Sequence, residues 1–113
     1  MQFKNILVVC IGNICRSPMA EYLLKQNHPQ LTIHSAGISG MIGYAADDKA
    51  KLCMQRIGVD MSPHIARKIN AELIKQADLI LVMSQKQQKH IEQTWPFAKG
   101  KTFRLGKKKK KNI

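Results

Sequence analysis

Cys10 and Arg16 stand six positions apart in the stretch Val8-Val9-Cys10-Ile11-Gly12-Asn13-Ile14-Cys15-Arg16-Ser17-Pro18. A cysteine thiolate is a nucleophile, and an arginine guanidinium grips two oxygens of one phosphate at once. Between them, Gly12 and Asn13 are residue types that tolerate positive φ, so the loop can curl, with Asn13 expected in a left-handed conformation. Pro18 suits the first helical position, where a backbone N–H would be an orphan anyway. A curl at a helix start aims successive backbone N–H groups at one point beside the positive end of the helix dipole, which makes an anion-binding nest. A thiol in such a nest is expected to react as thiolate. Ser17 can donate to the Cys10 sulfur; it can equally cap the helix, and the two roles are compatible. Cys10, Arg16 and Ser17 are therefore the catalytic candidates. Ile11, Gly12, Asn13, Ile14 and Cys15 supply the cradle.

The elements around this stretch must hold it at the end of a strand. Phe3 to Val9 reads as a first strand, buried on both faces. Pro18 to Asn27 reads as a helix ended by His28-Pro29, with Met19, Leu23 and Tyr22 or Gln26 near one face. Leu31 to His34 reads as a short strand, and Ser35 to Tyr44 as a loop containing Gly37, Gly40 and Gly43. Asp47 can cap a helix to about Ile57, with Gly58 just past its end and Cys53 in the core. Asp60 to Lys68 is expected to be irregular. Asn70 opens a helix to about Gln76, and Leu79 to Met83 is a buried strand. Ser84 caps a helix from Gln85 to about Gln93 that Trp95-Pro96 ends, and Lys101 to Leu105 is a fourth strand. Strands alternating with helices imply an α/β, three-layer domain, with a parallel sheet covered by helices on both faces. Ligands in such sheets bind beyond the strand C-termini, where Cys10 lies.

With 113 residues there is room for one domain, assigned to 1–106, followed by a lysine-rich tail, 107–113, expected to be solvated or disordered. An apolar fraction of 44% suffices for a core. No apolar stretch approaches a membrane span, and the N-terminus lacks a signal-peptide h-region, so membrane insertion is not expected and the location expected is the cytoplasm. Three cysteines fit no closed disulfide framework and read as thiols. The net charge is +12, and +7 without the five lysines of 107–111. A basic surface suits an anionic substrate; nucleic acid is not expected, since aromatic interleaving and binding motifs are lacking. The histidines His28, His34, His64 and His90 show no paired ligand spacing, so no metal and no cofactor is expected. No Gly-x4-Gly-Lys-Ser/Thr loop is present, since Gly100-Lys101-Thr102 has Trp95 where the first glycine would stand, which argues against nucleotide hydrolysis.

The stretch from Cys10 to Pro18 resembles the phosphate loop of the low-molecular-weight protein tyrosine phosphatases. Ser35-Ala36-Gly37, Asp47, His64-Ile65-Ala66-Arg67 and Asp78-Leu79-Ile80-Leu81-Val82-Met83 follow in the family's order, so the resemblance covers roughly residues 3 to 106. Ser35-Ala36-Gly37 followed by Gly43 and Ala46-Asp47 is most similar to the bacterial capsule and exopolysaccharide branch. The resemblance implies a phosphotyrosine protein phosphatase I-like fold with strand order 2-1-3-4. It implies hydrolysis of phosphotyrosine through a cysteinyl-phosphate, with phosphate or vanadate as ligands and a tyrosine autokinase of polysaccharide export as protein substrate. It also implies that Asn13 is fixed by hydrogen bonds with Ser17, Ser35 and His64, the last two as structural supports. Cys15 can close a reversible disulfide with Cys10 or simply pack. Met41 occupies a position beside the substrate ring, or is merely an exposed or core methionine. Ile14, where phosphoarginine-specific relatives carry Thr, favours phosphotyrosine. The family's general acid is an Asp in an Asp-Pro-Tyr type segment downstream of Leu105-Gly106, followed by a last helix; no Asp-Pro occurs in the sequence, so no general acid is assigned and impaired turnover is expected. Two rivals remain at this point. An arsenate reductase shares the loop but needs further cysteines, and Ala77 to Lys99 has none. A phosphotyrosine-binding module lacking the acid would bind without turnover.

Overall fold

The computed structural model describes residues 3–39 and 41–105; Gly40, Gly106 and the tail expected at 107–113 lie outside the described residues. Four parallel strands, β1 (Asn5–Cys10), β2 (Thr32–Gly37), β3 (Leu79–Val82) and β4 (Thr102–Arg104), form one sheet in the order β2-β1-β3-β4. The central strand β1 is buried from Ile6 to Cys10 because it has helices on both faces. On one face Leu7, Val9, Ile80 and Val82 meet Ile74 of α3 (Ala71–Gln76) and Ile91 of α4 (Gln85–Thr94). On the other face Ile6, Val8 and Ile33 meet Ala20 and Leu24 of α1 (Arg16–Asn27). The outer side of α1 is apolar too: Met19, Tyr22 and Leu23 pack on Ala50 and Met54 of α2 (Asp48–Gln55). A 3-10 turn, Pro96–Ala98, leads into β4.

The helix starts follow from capping side chains. Asp47 accepts the N–H groups of Lys49 and Ala50, Asn70 that of Leu73, and Ser84 that of Gln87. Gly58, at φ +81°, ends the α2 segment. Its N–H donates to the Gln55 carbonyl (3.0 Å) and that of Val59 to the Met54 carbonyl (2.9 Å), which satisfies carbonyls the helix leaves unpaired.

Four expectations are corrected. β2 runs on through Ser35, Ala36 and Gly37, because Val8, Val9 and Cys10 pair with them in register; the glycine-rich composition had suggested a loop. α1 begins at Arg16 rather than Pro18, since the Met19 N–H already reaches the Cys15 carbonyl (3.1 Å) and a proline within the first turn loses no helical bond. Ser17 is thereby inside the helix, and its hydroxyl caps nothing. Cys53 is exposed, not core. Ala50 and Met54, four apart, carry the buried face of α2, and Cys53 sits about 100° round the helix from Met54.

Candidate active site

The strand-to-helix turn from Cys10 to Arg16 lies at the C-terminal edge of the sheet, between β1 and α1. Its carbonyls are held from behind. Those of Cys10 and Ile11 accept the N–H groups of Ile38 (2.9 Å) and Ser39 (3.0 Å), and that of Ile14 accepts the N–H of Asp47 (2.7 Å). The N–H groups of Gly12, Ile14, Cys15, Arg16 and Ser17 have no protein acceptor among the described residues. Carbonyls tied back and amides left over describe an anion cradle at a helix N-terminus. Arg16, the first residue of α1, is exposed and makes no ion pair among the described residues.

Cys10 is buried at the last position of β1. Its Sγ lies 2.9 Å from the Ser17 hydroxyl, and the Asn13 N–H donates to it at 3.3 Å. Asn13 sets the direction of that contact. It is fully buried, with φ at 60°. Its Oδ1 accepts the Arg67 N–H (2.9 Å), so its amide nitrogen must face the other way, where it donates to Ser17 Oγ and Ser35 Oγ, each at 2.9 Å. With its oxygen accepting from Asn13, Ser17 has its proton free to donate to sulfur. The Asn13 carbonyl takes the Nε2–H of His64 (2.7 Å), which fixes that ring's donor nitrogen. Asn13 thus bonds to Ser17, Ser35 and His64 together.

Three participants carried no assigned role in the sequence reading. Glu21, one helical turn beyond Ser17, is buried; it accepts the Ser35 hydroxyl, pairs with Lys25 (2.7 Å) and lies 3.9 Å from His64 Nδ1. The i, i+4 spacing of Ser17, Glu21 and Lys25 was the available signal. Arg67 donates its backbone N–H to Asn13 and its Nε to the Ser35 carbonyl (3.1 Å). Gly37 passes so close behind the loop that a Cβ there would lie 2.6 Å from the Ile11 carbonyl oxygen. In front, the half-buried Met41 leans on Gly12, where an added Cβ would meet Met41 Cγ at 2.9 Å. Ile11 is exposed and Ile14 half-buried. Cys15 is exposed; burial of its sulfur, then the Asp47 carboxylate and Cys10, push its thiol above the ordinary range. Among the described residues no three histidine, cysteine, aspartate or glutamate side chains cluster as a metal site.

The sequence matches the model of the low molecular weight phosphotyrosine protein phosphatase family over residues 5–111. It is 88% identical over all 113 residues to the low molecular weight protein-tyrosine-phosphatase Ptp of Acinetobacter johnsonii, of which it spans 80%. It is 50% identical over 103 residues, 91% of the chain and 71% of the relative, to the probable low molecular weight protein-tyrosine-phosphatase EpsP of Ralstonia nicotianae. The fold superimposes on the crystal structure of the tyrosine phosphatase Wzb from Escherichia coli K30 in complex with sulphate, with a TM-score of 0.89 at 37% identity, covering 96% of this chain and 78% of that one. With a cradle of this form and relatives this similar, the chain belongs to the low molecular weight protein-tyrosine-phosphatases, which hydrolyse phosphotyrosine through a cysteinyl-phosphate intermediate.

Proposed function

We propose that Cys10 is the nucleophile of this phosphatase, and the observation that carries the assignment is its sulfur held between the Ser17 hydroxyl and the Asn13 N–H. The thiolate attacks phosphorus in line with the tyrosine oxygen. The S–P bond forms as the P–O bond breaks, and the departing phenol oxygen takes up a proton. Arg16 grips two of the three equatorial oxygens, and the N–H groups between Ile11 and Ser17 hold the charge that builds up on them. Water then attacks the phosphocysteine, and the thiolate leaves with the Ser17 O–H and the Asn13 N–H donating to it. Gly12, Asn13, Ile14 and Cys15 contribute the cradle backbone. Ile11 and Met41 border the substrate ring. Ser35 and His64 are positioning residues that act through Asn13. None of these groups is the proton donor for the phenol, and no Asp-Pro segment occurs among the 113 residues.

The substrate class is a phosphotyrosyl protein. A tyrosine autokinase of polysaccharide export is the specific partner we propose, on the resemblance of Ser35-Ala36-Gly37, Gly43 and Ala46-Asp47 to the capsule and exopolysaccharide branch. A cytoplasmic location goes with such a partner; no helix among the described residues is long and apolar enough to cross a membrane. Substituting Arg16→Lys tests the clamp. Lysine keeps the charge and loses the two-pronged grip. Vanadate affinity and hydrolysis of p-nitrophenyl phosphate should both fall by at least about tenfold. Unchanged values would remove Arg16 from the mechanism.

A further inference from the structure

A groove of about 200 Å³ opens beside the cradle, lined by Ile11, Ile38, Ser84, Lys86, Gln87 and His90. One side is apolar. Ile11 directly follows the nucleophile and is 51% exposed, and Ile38 is half-buried against the core on the α4 face. The Ile38 N–H donates to the Cys10 carbonyl, so this wall is tied to the strand end that carries the nucleophile. The other side is the start of α4. Gln87 is buried, and its side-chain oxygen accepts the Met83 N–H (2.8 Å), which fixes the helix against the end of β3. Lys86 and His90, one turn apart, share a helix face and are both exposed. The first turn of α4 contains no acidic residue, so the helix dipole and Lys86 act with the same sign. The acidic residue further along α4, Glu92, accepts from Gln88 (3.2 Å).

Ile11 apart, phosphate hydrolysis itself uses none of these groups. A polypeptide carrying phosphotyrosine must leave the cradle across its rim. We propose that this groove takes the substrate segment flanking the phosphotyrosine, with an aliphatic side chain against Ile11 and Ile38 and an acidic residue against Lys86 and His90. Two observations carry the proposal: the apolar wall is continuous with the phosphate loop through Ile11, and the opposite wall has the charge that complements an acidic peptide. It rests on the assignment of Cys10 and Arg16 as the phosphate site.

The test uses Lys86→Glu combined with His90→Glu, both exposed positions outside the cradle, and two peptides that carry a non-hydrolysable phosphonate in place of phosphotyrosine. One has an aliphatic and acidic flank, the other an aliphatic and basic flank. The double variant should bind the acidic peptide about tenfold more weakly and the basic peptide more tightly, with p-nitrophenyl phosphate hydrolysis unchanged. Equal shifts for both peptides, or no shift for either, would overturn the proposal. Arg16→Ala separates the two levels. It should weaken both peptides alike, and if it left both affinities and p-nitrophenyl phosphate hydrolysis untouched, the phosphate site would be misassigned and the groove proposal would fall with it.

Discussion

Replacing Gly37 with alanine tests whether the cradle is held in shape from behind. The methyl group would sit 2.6 Å from the Ile11 carbonyl oxygen, 2.9 Å from the Gly12 carbonyl carbon and 3.1 Å from the Asn13 nitrogen. All three are backbone atoms of the phosphate loop, so no rotamer change relieves the contact. To reach ordinary van der Waals separation, the loop or β2 must move by about 0.8 Å. β2 is pinned through the Cys10–Gly37 register and through the Gly37 backbone, whose N–H donates to the Arg67 carbonyl and whose carbonyl accepts from Ile69. The loop should therefore give way. Overpacking of this kind costs about 1–3 kcal/mol of stability. A displacement approaching 1 Å at the reacting groups costs on the order of 10²-fold in rate. The variant should therefore remain folded by circular dichroism, melt at a lower temperature, and lose about 10²-fold in kcat/KM for p-nitrophenyl phosphate. Gly43→Ala is the control. Gly43 has φ +85° with nothing within 4 Å of an added Cβ, so it should lose stability through backbone strain and keep its kcat/KM. A Gly37→Ala protein with unchanged vanadate affinity and kcat/KM would refute the argument.

Iodoacetate should alkylate Cys10 first, with vanadate protecting it, while Cys15, its thiol pushed up by burial and by Asp47, reacts more slowly at neutral pH; equal labelling of Cys10, Cys15 and Cys53, read by mass spectrometry, would contradict the assignment. Mild peroxide should oxidise Cys10 to a sulfenic acid, which the Cys15 thiol attacks with loss of water to give a disulfide that dithiothreitol reverses; Cys10 passing straight to sulfinic acid with Cys15 untouched would count against it. These 113 residues should bind vanadate, hydrolyse p-nitrophenyl phosphate, and turn over phosphotyrosine more slowly than a chain extended by an Asp-Pro-Tyr segment and final helix, since general acid catalysis of phenol departure is worth about 10²–10⁴-fold. Equal phosphotyrosine rates from the two chains, both folded by circular dichroism, would show that the acid lies elsewhere.

The chemistry was legible in sequence because it is local. Cys10, Gly12, Asn13, Arg16 and Ser17 fall within one turn of chain, and their types state the requirements of an anion cradle. The capping residues Asp47, Asn70 and Ser84 were legible for the same reason, as each acts two or three residues from itself. What escaped depends on neighbours distant in sequence. Glu21 matters because β2 brings Ser35 to it, 14 residues away, and the segment leading into α3 brings His64 within 3.9 Å. The strand character of Ser35 to Gly37 comes from pairing with β1, which overrides a composition that suggests a loop. Gly37 was named in the family resemblance, but the reason for a glycine there appears only when the loop is seen passing over it. Cys53 was misread because apolar type does not fix which way a helix faces; Ala50 and Met54 meeting α1 do.

Trapping the covalent intermediate would show which atom takes the phosphate. The protein would be mixed rapidly with a labelled activated aryl phosphate, quenched in acid and digested, and the phosphate located by mass spectrometry. Phosphate is expected on Cys10 Sγ, with a burst of released phenol equal to the enzyme present, and neither signal in Cys10→Ala. Phosphate on another residue of the unsubstituted protein, or an undiminished burst in Cys10→Ala, would overturn the assignment of the nucleophile.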